Sequence, residues 1–237
     1  MDGVGERSRD RARPVRTGRR SVKSFASGSI REIALLAAHC DDIAIGAGGT
    51  LLTIARANPG LTVHALVLTG GGGAREVEEK TALAAFLPGA DVRLTVTDIP
   101  DGRSPAHWDA AKDTVAAFRR TCEPDVVFAP QKNDAHQDHR QLATLAPTEF
   151  RDHMILGYEI LKWESDLPTP SLYHPISDEI AREKVELLHA SYPSQTDKDW
   201  FDADAFLGLC RIRGVQCKSR YAEAFVVEKT VIDFVGA

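Results

Sequence analysis

No apolar run in this 237-residue chain approaches the ~18 residues that a membrane-spanning helix requires. The opening residues also lack the short apolar stretch of an export signal, so a cytoplasmic location is expected. Cysteine is scarce and unpatterned. Cys40, Cys122, Cys210 and Cys217 form no CxxC pair, which argues against a disulfide framework and for reduced thiols. Neither glycine run, at 46–49 or at 70–73, shows Gly-x-Gly-x-x-Gly after a first strand, which argues against a dinucleotide cofactor. The first run reads as backbone passing close to a functional site, the second as a flexible lip over a substrate.

What remains is a chain with 43% hydrophobic residues, enough for one core. Charge divides it unevenly. Residues 1–30 carry eight basic side chains against three acidic ones, a net of +5, which leaves −10 for residues 31–237. The basic stretch has no periodic pattern and too little apolar content to sustain a fold, so it reads as a disordered arm. Residues 31–237 read as a single domain. Its acidity argues against nucleic acid as a partner, whereas homo-oligomerisation is compatible with it.

From Glu32 onward, strand and helix patterns alternate. Ile33-Ala34-Leu35-Leu36-Ala37 is a continuous apolar run, as in a strand buried on both faces. Strands are also expected at 61–69, 91–97, 125–129 and 154–161. Helices are expected behind the first glycine run, at 75–86, 108–122, beyond residue 141 and at 177–189. Strands spaced by such helices imply right-handed crossovers and a mainly parallel, Rossmann-like α/β sheet.

Two short segments carry the chemistry. Ala38-His39-Cys40-Asp41-Asp42 follows the first strand, and His136-Gln137-Asp138-His139 follows another. Both lie where strands stop, on the carboxyl edge where open α/β sheets bind ligands. Imidazole and carboxylate suit zinc, and three protein ligands leave a position for water. His39, Asp42 and His139 are the candidate ligands, and another divalent metal is compatible with the same donors. Asp41, adjacent but not a ligand, is placed to take a proton from water. His136 faces the same way as His139 and is free to donate to a leaving amine or hold an oxyanion, with Asp138 as its orienting partner. Asp101, Arg103 and Arg75 are candidates for gripping polar groups of a substrate, and Trp108, Trp163, Tyr158 and Tyr192 for an aromatic platform. Cys40 reads as a buried structural thiol.

These motifs resemble the PIG-L/LmbE-like zinc-dependent N-deacetylases, which remove acyl groups from amino sugars and related amines. The resemblance extends through Ile45-Gly46-Ala47-Gly48-Gly49-Thr50-Leu51 and Arg140. Weaker echoes are Asp101-Gly102, Tyr192-Pro193-Ser194-Gln195, Arg213-Gly214 and Tyr221-Ala222-Glu223-Ala224-Phe225. It implies an LmbE-like fold, zinc on His39, Asp42 and His139, Asp41 as general base, and His136 as acid or oxyanion stabiliser. It also implies a small amino-sugar conjugate as substrate. The sequence departs from the family pattern at Cys40 in place of Pro, Ile43 in place of Glu, and Asp134 where some members have a carbonyl-polarising Tyr. The last departure shifts the oxyanion role toward His136 or the metal. A different amide, such as a thiol conjugate, and non-catalytic metal or sugar binding are the alternative functions.

Overall fold

The computed structural model of the protein describes residues 30–231. Strand β1 (Glu32–Ala37) is buried on both faces, as its unbroken apolar run requires. Around it lie β2 (Thr62–Val67), β3 (Asp91–Val96), β4 (Val126–Pro130) and β5 (Ile155–Tyr158), all parallel, in the order β3-β2-β1-β4-β5. Alternation along β1 divides the interior. Ile33 and Leu35 face one core, lined by α1 (Asp42–Ala57), α2 (Ala74–Phe86) and α5 (Asp178–Ser191). Ala34 and Leu36 face the other, under α3 (Trp108–Arg119) and α4 (Gln137–Glu149). This is the expected mainly parallel α/β sheet with helices on both faces. Among the described residues, no helix is long and apolar enough to cross a membrane.

The C-terminal part extends the sheet in a way the sequence pattern did not announce. β6 (Leu172–Ile176) and β7 (Tyr221–Val226) complete seven strands in the order β3-β2-β1-β4-β5-β7-β6, with β7 antiparallel to both neighbours. β6 reads Leu-Tyr-His-Pro-Ile, and its proline is tolerated because the strand lies at the edge. Helix α6 (Ala203–Gln216) precedes β7. The basic-arm expectation falls on residues 1–29, outside the described residues. Ile30 itself is tied in, its N–H donating to Asn58 Oδ1 at 3.2 Å.

The first glycine run proves to be helix rather than loop. Residues 46–49 lie inside α1, where a side chain at Gly46 would run into the Tyr158 ring. Close helix–sheet packing, not approach to a functional site, is what this glycine permits. Midway along the same helix, Glu223 of β7 accepts from the N–H groups of Gly49 (2.8 Å) and Thr50 (2.6 Å). Lys184 of α5 pairs with Glu223 at 2.6 Å and donates to the Ile45 carbonyl at 2.7 Å. An ion pair thus joins the helix ladder and ties α1, α5 and β7 together. Lys184→Met is expected to lower stability by about 3–5 kcal/mol, because the Glu223 carboxylate stays buried without its cation. A denaturant titration in which the midpoint does not move would contradict this.

Candidate active site

The turn between β1 and α1 is closed by a side chain. Asp42 Oδ2 accepts from the N–H groups of Ala38 (3.0 Å) and His39 (2.8 Å), which fixes its carboxylate at the strand end. Across the sheet, β4 gives way to α4, whose N-cap is His136; its Nδ1 accepts from the Asp138 N–H at 3.3 Å. One turn into α4, His139 reaches back to β1. β1 and β4 are neighbours in the sheet, so residues a hundred positions apart meet.

Three side chains converge there. His39 Nδ1 lies 3.0 Å from His139 Nε2 and 3.6 Å from Asp42 Oδ2, and His139 Nε2 lies 3.3 Å from Asp42 Oδ1. Ligand atoms on a tetrahedral zinc, each about 2.0–2.1 Å from the ion, stand roughly 3.3 Å apart. The donor set therefore fits a divalent metal in chemistry and in spacing. His39 also belongs to two wider groups, one with His136 and His139 and one with Asp101, His136 and Asp138, whose donor atoms lie within 4.8 Å of each other.

The electrostatics follow from burial among these charges. Burial opposes the charged form of His139, yet Asp42 and Asp134 carry its pKa up to about 9. Burial likewise disfavours an Asp42 carboxylate, but His139 and His39 hold its pKa well below the usual range. His136 is pushed down, first by burial and then by the charges of His39 and His139. Asp41 is raised to about 6 by burial and by Asp42, against the pull of Arg75.

Asp41 is held at its backbone by Glu79 and at its carboxylate by Arg75. Its backbone sits at φ 119°, a left-handed region that non-glycine residues rarely adopt without support. That support is Glu79, fully buried, whose Oε2 accepts from the Asp41 N–H at 3.0 Å and from the Tyr192 hydroxyl at 2.7 Å. The Arg75 guanidinium binds Asp41 Oδ2 at 2.8 Å, Glu78 Oε2 at 2.8 Å and Ser194 Oγ at 2.8 Å, and also the Cys40 carbonyl. Arg75 lines the cleft, but these partners take its donors. Cys40 is buried with its thiol pushed up by desolvation, in keeping with a structural role.

Asp138 meets His136 through its backbone N–H (3.3 Å), not through the carboxylate. Its carboxylate faces His39 Nε2 at 3.3 Å and accepts from the N–H groups of Gly102 (2.8 Å) and Ser104 (3.1 Å), rather than turning to His136. The reason is local: Asp138 sits in the first turn of α4, and there its carboxylate meets the β3–α3 loop. Asp101, in that loop, is exposed and reaches His39 Nε2 at 3.1 Å, whereas Arg103 is exposed and lies outside the cleft lining.

Two residues the sequence left without a role complete the site. Asp134 is buried, with Oδ1 3.0 Å from His139 Nδ1 and Oδ2 3.0 Å from Lys162 Nζ. A carboxylate behind a histidine fixes the ring and raises its basicity, as carboxylates behind metal-bound histidines commonly do. Glu79 is the other. Its position in a helix of mixed charge gave no sign that it would be buried.

These groups open into a cleft of about 490 Å³. Its lining includes His39, Asp41, Asp42, His136 and His139, together with the segments after β5 and after α5, among them Trp163 and Trp200. Of the four aromatics expected as a platform, only Trp163 lines the cleft. Tyr158 and Tyr192 are fully buried in the core, and Trp108 lies elsewhere. The second glycine run is anchored, with Gly71 N–H on the Thr97 carbonyl (2.9 Å) and Gly72 N–H on Glu76 Oε2 (2.7 Å).

Residues 34–148 match the family profile described as PIG-L, GlcNAc-PI de-N-acetylase. Among solved structures, the chain is similar to N,N'-diacetylchitobiose deacetylase from Pyrococcus horikoshii, with TM-score 0.65, 20% identity, and coverage of 87% of this chain and 88% of that one. A conserved protein from Thermus thermophilus aligns with TM-score 0.67 and 26% identity, over 86% of this chain and 98% of that one. GalB, the 4-carboxy-2-hydroxymuconate hydratase of Pseudomonas putida KT2440, aligns with TM-score 0.68 and 17% identity, over 87% and 100%.

Proposed function

We propose that this protein, whose residues 34–148 are a PIG-L family domain, is a metal-dependent hydrolase that removes an N-acetyl group from an amino-sugar conjugate. The fold alone does not decide the reaction, since a hydratase shares it. The observation that carries the reading is the convergence of His39 Nδ1, Asp42 and His139 Nε2 within 3.6 Å, beside a separately braced Asp41.

His39, Asp42 and His139 would hold the ion. Zinc or a similar divalent metal, when bound, supplies a Lewis acid that acidifies water and polarises a carbonyl. The rest of the chemistry falls to the chain. Asp41, with its pKa raised toward neutrality and its carboxylate fixed by Arg75, takes the proton of the attacking water. His136 lines the same cleft and is oriented by its N-cap bond, so its free edge is available to the oxyanion or the departing amine. Asp138 and Asp134 orient His39 and His139 from behind. Asp101, at the exposed rim, is the best placed of the expected sugar-gripping residues.

The test is acetate release from a panel of N-acetylated sugars and conjugates, read by mass spectrometry as loss of one acetyl group. Loss confined to amino-sugar conjugates is the expected result. Turnover of thiol-conjugate amides alone would move the substrate class, and metal binding without any turnover would leave a binding protein.

A further inference from the structure

Helix α6 carries apolar residues on both of its faces. Phe206 and Cys210 point into the core. On the other side, Ala205, Gly208, Ile212 and Val215 form a second stripe, and it is open: Ile212 is 52% exposed and Val215 59%. A Cβ built on Gly208 would meet nothing within 4 Å. A helix that is apolar all round is normally covered all round. The spacing of the outer stripe is regular. Ala205 and Ile212 are one heptad apart, as are Gly208 and Val215, the a and d positions of a short helix-pairing seam. The helix is also a firm platform. Asp202 caps its start, accepting from the Ala205 N–H at 2.8 Å, and Arg213 on its inner side grips Glu159 at 2.8 and 2.5 Å.

The stripe and the charges around it fit one partner, the same helix run in the opposite direction. In an antiparallel pair a positions meet d positions, so Ala205 lies opposite the partner's Val215 and Gly208 opposite the partner's Ile212. Each small residue then receives a large one, and the two surfaces interdigitate. Charge agrees with this arrangement. The start of α6 is acidic, with Asp202 and Asp204, and the turn after it is basic, with the exposed Lys218 and Arg220. A parallel pair would set like charges side by side. An antiparallel pair sets Asp202 against the partner's Lys218 and opposes the helix dipoles. We infer that the outer face of α6 is a self-complementary surface on which a second copy of this chain docks, antiparallel, about a two-fold axis level with residue 210. One helix pair is a small interface, so a dissociation constant of the order of 10 μM is expected. The inference stands apart from the reaction, because no residue of α6 lines the active-site cleft.

Sedimentation velocity of the full chain over about 1–200 μM tests this, since the range brackets the expected constant. A monomer–dimer equilibrium is the expected result. Ile212→Arg should weaken it roughly a hundredfold, because two isoleucines leave each interface and two like charges enter. Ile212 lies at the surface, so this variant folds, which circular dichroism checks. A second variant reads the register without weakening the contact. Ala205→Cys combined with Val215→Cys places thiols ten residues, about 15 Å, apart along one helix. That is too far to bridge within a chain, so a disulfide between them joins two copies. Mild oxidation should give a covalent dimer that dithiothreitol reverses, and either single variant should give far less of it. A chain that stays monomeric to the top of the concentration range would overturn the inference. So would an oligomer indifferent to Ile212→Arg, or cross-linking no greater in the double variant than in the single ones.

Discussion

Asp41→Asn is expected to keep its metal and to lose turnover by about 10²- to 10⁴-fold, the usual contribution of a general base. The substitution leaves the brace around it intact. The Asp41 N–H still donates to Glu79, and an asparagine oxygen still accepts from Arg75. The turn is held by Asp42, not Asp41, so the ligand geometry has no reason to change. Metal content measured by elemental analysis beside steady-state kinetics checks both halves. Loss of metal in this variant would show that ligand and base are exchanged within the aspartate pair.

The opposite pattern is expected at Asp42 and His139. Changes behind a metal ligand commonly cost ~10–100-fold in affinity, and removing one of three ligands should exceed that. His139→Ala leaves Asp134 without its imidazole partner and Asp42 with His39 alone, and Asp42→Ala also removes the acceptor for the N–H groups of Ala38 and His39. Asp42→Asn retains an acceptor for that turn and so separates metal loss from local unfolding. Metal that stays bound in both His139→Ala and Asp42→Asn, in a zinc competition titration, would remove these residues from the ligand set.

The site's inner ring is legible in the sequence because its signals are local. Two polar clusters each follow an apolar strand, and a parallel sheet brings such ends to one edge. Spacing alone makes Asp138 a partner of His136, and its N–H is one. The contact of its carboxylate with His39 depends on how α4 meets the β3–α3 loop, which no local pattern encodes. Glu79 and Asp134 are hidden for a related reason: a carboxylate looks solvated in sequence unless its buried partners are known. The same holds for residues 46–49, where glycine serves contact with Tyr158 and Phe86 in a helix rather than a loop. In β7, Glu223 interrupts the apolar pattern because it serves the α1 ladder, and that single residue hides the antiparallel strand.

The most direct test of the central claim is a metal titration of acetate release. Protein stripped by a chelator is returned to zinc in steps, with an N-acetylglucosamine conjugate as substrate. Release is expected to vanish on stripping and to climb in proportion to zinc, levelling at one ion per chain. Acetate release that persists unchanged after thorough chelation would contradict the account.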